Sequence, residues 1–303
     1  MDAEVKSMRV RLEPTASESA AGPTHLELLY QKPPGTSTEM PTILMLPFWG
    51  GSASTYRPVL ATMASELPSS ISLAVSYRGT GGSAPPDPDS PDQHSVPALA
   101  NDVVKLMQAD QIQELIPSKR LVICAHSMSA KVTVQLLRKL EISNARFGIE
   151  GIVFLAPAPP GPFELSSDMR EQQLTAYQSR ESAEWVLRNV LTTGKLNAEQ
   201  YRTLAENCFN MSPGAKRGWI ERGMQWSCLD TLAALRTKPK VRILVGSNDL
   251  VEPVERVKTE TLEILRMQGF DVEVQMVEGS GHLLPVEAPG AVVQEVKNMV
   301  EGK

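Results

Sequence analysis

Short continuous apolar runs recur along the chain: Pro41–Leu46, Ile71–Tyr77, Leu121–Cys124, Gly151–Ala156, Val241–Val245 and Asp271–Val277. Runs of this kind are expected of strands covered on both faces of a parallel sheet. Between them lie stretches with helical periodicity, over Tyr56–Leu67, Val96–Leu115, Met128–Leu140, Val254–Gln268 and Gly290–Val300. Met8–Leu12 predicts an edge strand and His25–Tyr30 a second; the rest of residues 1–24 is polar and reads as loop. Alternating buried strands and helices predict an α/β fold with a mostly parallel central sheet flanked by helices. The pattern changes between about residues 161 and 236. That stretch is polar and helical, lacks apolar runs, and holds Trp185, Trp219 and Trp226. It reads as a helical cap inserted over the carboxyl ends of the strands, dividing the core into residues 1–160 and 237–303.

With 303 residues and 42% hydrophobic content, the chain is long enough to bury a large core. A net charge of −5 and a pI near 5.6 give no footprint for nucleic acid. No segment approaches the roughly 18 apolar residues a membrane span requires, and the N-terminus has no apolar signal core. Three cysteines, Cys124, Cys208 and Cys228, make an odd count, and Cys124 falls inside a predicted core strand. Reduced, inert thiols and a cytoplasmic location are expected. Four histidines without a CxxC or His-x-His spacing offer no metal site. The loop Arg78-Gly-Thr-Gly-Gly-Ser83 lacks the Lys of a phosphate-binding loop and runs into Pro85, Pro86 and Pro88. It reads as a tight loop at the sheet edge, so no cofactor is expected. The pattern is equally compatible with a monomer or a homodimer.

The candidate chemistry centres on Ala125-His126-Ser127-Met128-Ser129, between a buried strand and an amphipathic helix. A sharp turn there lifts the Ser127 hydroxyl above the sheet and leaves the Met128 N–H free to stabilise an oxyanion. Taken alone, the turn is also compatible with an ordinary capping serine. His126, adjacent in the turn, is expected to point away from Ser127. A base is available in Glu278-Gly-Ser-Gly-His-Leu-Leu-Pro285, where His282 follows the last predicted strand. An orienting carboxylate is available at Asp249, in Gly246-Ser-Asn-Asp-Leu-Val251 after the preceding strand. Such loops lie at the carboxyl edge of the sheet, where ligands bind in open α/β folds.

The order Ser127, Asp249, His282 resembles that of the α/β-hydrolase triad, and the chain resembles a capped member of that superfamily from about Leu28 to Val300. Arg78–Ser83 resembles its Arg-Gly-x-Gly-x-Ser loop, and Gly281–Pro289 resembles its triad-histidine segment. Five positions depart from the pattern. Ala125 and Ser129 replace the elbow glycines, Pro47-Phe48 stand where His-Gly is usual, and Tyr77 replaces the Asp before Arg78. The resemblance implies that the Trp49 N–H pairs with that of Met128 as an oxyanion hole. It implies a serine hydrolase that attacks an ester, thioester or lactone of a small to medium apolar substrate through an acyl-enzyme on Ser127. The same triad also serves C–C bond hydrolysis, lyase chemistry and acyl transfer, and a non-catalytic descendant would retain only a small-ligand pocket. Phe48, Trp185, Trp219, Met224 and Trp226, with Phe209, are candidates for an apolar pocket, or for the core of the cap itself. Lys131 and Arg78 read as structural.

Overall fold

The apolar runs pair into one eight-stranded sheet. The computed structural model describes residues 4–14, 22–143 and 147–303, so part of the polar N-terminal stretch read as loop, residues 15–21, lies outside the described residues. In chain order the strands are β1 (Lys6–Leu12), β2 (Thr24–Gln31), β3 (Thr42–Leu46), β4 (Ser72–Val75), β5 (Arg120–His126), β6 (Gly148–Leu155), β7 (Lys240–Gly246) and β8 (Val272–Val277). Their spatial order is β1-β2-β4-β3-β5-β6-β7-β8. β1 and β2 pair antiparallel with their neighbours at one edge, and β3 to β8 all run parallel. This is the α/β-hydrolase fold that the hydrophobic pattern and its resemblance lead one to expect.

Strand alternation sends successive side chains to opposite faces, and the two cores follow that rule. Leu44, Leu46, Leu121, Ile123 and Ala125 join one cluster. Ile43, Met45, Val122 and Cys124 join the other. Helices Val96–Gln108 and Ser129–Ile142 cover the first face, and helices Arg57–Glu66 and Pro289–Val300 the second. The predicted single helix over Val96–Leu115 is instead two, Val96–Gln108 and Asp110–Leu115. Ala109 between them is extended at ψ 134°, its N–H bonds Leu106, and the Gln113 side-chain amide takes the Met107 carbonyl. Those local bonds satisfy the end of the first helix without a proline or glycine to mark it.

Residues 161–236 contain helices and no strand. Their apolar residues form a third cluster with Phe48 and Leu283, which come from loops after β3 and β8. The segment therefore packs on the carboxyl end of the sheet. Fully buried Lys131, on the helix after β5, fastens it there. Its ammonium donates to the carbonyls of Gly161, Met224 and Trp226 at 2.7–2.9 Å. The glycine loop after β4 is also built in: Gly82 N–H donates to Glu27 at 2.8 Å, and the Arg78 guanidinium forms a two-pronged pair with Asp102. Among the described residues no helix is long and apolar enough to cross a membrane. The three cysteines are unpaired and buried.

Because Arg78 and Asp102 are both buried, removing one leaves an uncompensated charge. Asp102→Ala should cost about 3–5 kcal/mol in urea unfolding, and replacing both residues with apolar ones should cost less.

Candidate active site

The chain turns sharply at the end of β5. Ser127 has φ +54°, a left-handed conformation that a non-glycine residue adopts at a cost of about 1–3 kcal/mol. The turn is held from β6: Ser127 N–H donates to Leu155 O at 2.8 Å, and Ala158 N–H donates to Ser127 O at 3.1 Å. Ala125 and Ser129, which replace the glycines, are completely buried and fit the turn. Ser127 itself is 8% exposed, and helix Ser129–Ile142 begins two residues later.

Asp249 and His282 meet beneath the same edge. His282 Nδ1 donates to Asp249 Oδ2 at 2.8 Å, while Asp249 Oδ1 accepts the N–H groups of Val251 and Glu252 at 2.8 and 2.9 Å. That bond assigns the imidazole tautomer and leaves Nε2 with a lone pair. Burial opposes a charge on His282. The negative Asp249, its hydrogen bond, Glu252 and Glu287 outweigh it and raise the pKa above 6.5. The loops carrying the two residues touch backbone to backbone: a Cβ on Gly246 would lie 2.3–2.4 Å from the carbonyl oxygens of Gly281 and Ser280. Glycine at 246 is what lets Asp249 reach His282. No hydrogen bond joins Ser127 Oγ to His282 among the described residues.

His126, expected to point away from Ser127, makes no hydrogen bond to it among the described residues and packs against His282. Its Nε2 donates to the His282 carbonyl at 2.8 Å, and its ring lies 5.1 Å from the His282 ring. Burial, then the neighbouring His282, push its pKa well down and keep it neutral. Glu287 and the carbonyl of Leu191, to which no role was assigned from sequence, both fix this loop. Leu191 O accepts His282 N–H at 2.9 Å and Leu283 N–H at 3.1 Å. Glu287 accepts Gly281 N–H with one oxygen, and the N–H and hydroxyl of Thr193 with the other. Glu287 lies within the Gly281–Pro289 motif, which was the one signal for it.

Neither Trp49 N–H nor Met128 N–H donates to a protein acceptor among the described residues. A cavity of about 290 Å³, mouth included, opens beside both. Phe48, Leu99, Met211 and Trp219 give it apolar walls, and Arg78, Thr80 and His94 a polar one. His94 is kept neutral, its pKa lowered to about 4 chiefly by burial. Of the six candidate pocket residues, Phe48 and Trp219 line the cavity and four, Phe209 among them, do not. Trp185 is 61% exposed on an outer helix, because its helix buries Ala183 instead. Met224 and Trp226 lie behind the cavity, their carbonyls bound by Lys131. Burial raises all three thiols to about 12, so they are inert. No group of three or more His, Cys, Asp or Glu is placed to hold a metal among the described residues.

An α/β hydrolase family model matches residues 43–295, and the chain belongs to that family. No curated protein is significantly similar to it in sequence. Among solved structures it is similar to an esterase from Exiguobacterium antarcticum, at 14% identity and TM-score 0.75 over 97% of this chain and 100% of the other. It is similar also to an enol-lactonase from Burkholderia xenovorans, at 17% identity and TM-score 0.69 over 92% and 97%. A bromoperoxidase from Bacillus anthracis matches at 12% identity and TM-score 0.74 over 97% and 100%. Identities this low establish the fold and leave the reaction to the site.

The His282 titration is expected to lie above pH 6.5 by NMR in the wild-type protein. In Asp249→Asn burial prevails and it should fall below 6.5. The same shift is linked to stability. A raised folded-state pKa contributes stability that is fully present below pH 6.5 and lost as pH rises through the folded value. Unfolding measured from pH 5 upward should show this loss in the wild type and not in Asp249→Asn.

Proposed function

We propose that the protein is a serine hydrolase whose catalytic triad is Ser127, His282 and Asp249. The observation that carries this reading is the buried Asp249–His282 pair at the edge where a left-handed turn presents Ser127. Ser127 Oγ attacks the substrate carbonyl carbon while its proton passes to His282 Nε2, with Asp249 steadying the imidazolium. The carbonyl electrons move onto oxygen, which the N–H groups of Trp49 and Met128 stabilise. Each such donor is worth about 3–4 kcal/mol to the transition state. Collapse expels the leaving group, which takes the proton from His282. Water, deprotonated by His282, then attacks the acyl carbon and releases the acid and Ser127.

The substrate is an ester, thioester or lactone with a small to medium apolar body, in keeping with the apolar walls that Phe48, Leu99, Met211 and Trp219 give the cavity. Residues 161–236 act as a cap over this pocket. Two unpartnered N–H groups beside the serine favour an enzyme over a ligand-binding descendant, which has no use for them. The unpaired thiols support a reducing, cytoplasmic setting.

A fluorophosphonate probe should label Ser127 alone, with labelling lost in Ser127→Ala and His282→Ala. On p-nitrophenyl esters of increasing chain length, Ser127→Ala should lose about six orders of magnitude in kcat. A folded wild-type protein that neither labels nor hydrolyses any of these esters or a lactone series would overturn the assignment. The rate should rise with pH through the elevated His282 pKa, because only the neutral imidazole accepts the serine proton.

A further inference from the structure

Three departures from the family pattern lie far apart in sequence and meet in the structure. Tyr77, which follows β4, places its hydroxyl 2.8 Å from Ser129 Oγ. Ser129 donates its own proton to Pro47 O at 2.5 Å, in the loop that follows β3. Since the Pro47 carbonyl can only accept, the direction is fixed: Tyr77 O–H to Ser129 Oγ, and Ser129 O–H to Pro47 C=O. Tyr77 is 2% exposed and Ser129 0%. In an environment from which water is excluded, these bonds hold their partners more firmly than surface bonds do.

The tie joins the two segments that carry the oxyanion donors. Ser129 follows Met128 directly, and Pro47 lies two residues before Trp49. The post-β3 loop is closed on itself by Gly51 N–H to Phe48 O at 3.0 Å. On its other side it is held by the cap, through Tyr177 O–H to Trp49 O at 3.2 Å and Trp49 Nε1–H to Lys216 O at 3.2 Å. The cap bonds reach this loop only from outside. Of the side-chain bonds around it, the Ser129 hydroxyl is what ties the loop to the elbow itself. With glycine at position 129 there would be no hydroxyl, and with Asp at 77 no phenol long enough to reach it.

We infer that the Ser129 hydroxyl, oriented by Tyr77, is a positioning residue that sets the spacing between the Trp49 and Met128 N–H donors. In this chain a hydrogen-bonded relay across three strand ends holds the oxyanion hole in register. It acts on the transition state, because the oxyanion forms only after attack, and so leaves ground-state binding alone. The inference rests on the proposed hydrolase reading.

The experiment compares wild type, Ser129→Ala and Tyr77→Phe on a p-nitrophenyl ester, with a trifluoromethyl ketone as an analogue that becomes a tetrahedral oxyanion on Ser127. Ser129→Ala should lower kcat about 10- to 100-fold at unchanged KM, with the ketone weakened by the same factor. The apparent pKa of the rate profile should stay put, since His282 and Asp249 are untouched. Tyr77→Phe keeps the bond to Pro47 but frees the Ser129 rotor, and should give a smaller loss of the same kind. It also keeps the test decisive where Ser129→Ala fails to fold. Folded variants with kcat/KM and ketone affinity within twofold of wild type would overturn the inference, as would a loss confined to KM. Fluorophosphonate labelling of wild-type Ser127 in the same samples separates the two ideas. With labelling present, unchanged variants refute the relay alone. A wild type inert to probe and esters refutes the hydrolase reading and the relay with it.

Discussion

The hydrogen bond between His282 and Asp249 is the contact around which the carboxyl edge of this sheet is arranged. A buried carboxylate is costly unless its oxygens are occupied, and Asp249 has the N–H groups of Val251 and Glu252 as well as the imidazole. For that geometry the loops after β7 and β8 must lie in backbone contact, which only glycine at 246 permits. His126 from the turn after β5, Glu287 from the following helix and Leu191 from the helical segment 161–236 then converge on the loop that bears His282. The pair is thus the meeting point of elements from the whole length of the chain.

Much of this was legible in the sequence, for identifiable reasons. Strands buried on both faces must be apolar throughout, so Thr42–Leu46, Leu121–Cys124 and Val241–Val245 announced the parallel sheet. A serine, an acid and a histidine after three of the strands could be matched by order alone, although what each does remains a proposal. The break at Ala109 was hidden because the signal lies in one side chain, Gln113, reaching back to a carbonyl. Trp185 was misread as a pocket residue because tryptophan is usually buried; on its short helix Ala183 turns inward and the indole faces solvent.

Residues that act through backbone atoms were the least legible. The Leu191 carbonyl holds the His282 loop whatever side chain position 191 carries. Lys131 could be anticipated as structural, but its partners are carbonyls some 30 and 95 residues away, and no spacing rule points to them. The departures at Tyr77, Pro47 and Ser129 looked like separate weaknesses of the motif. In three dimensions they are neighbours, and each is intelligible through the others.

The bonds from Leu191 and Thr193 to the His282 loop bear on how this molecule can diverge. Residues 161–236 are also held at Gly161, Met224 and Trp226 by Lys131, and between such anchors the segment can change length or composition. At 191–193 the chain must keep its path, because an insertion there would carry away the carbonyl that two consecutive amides of the histidine loop share. Variation in residues 161–236 is therefore confined to the stretches between these anchors. A descendant could acquire a new substrate by reshaping the far side of the cavity, yet would have to carry this short stretch through unchanged in geometry.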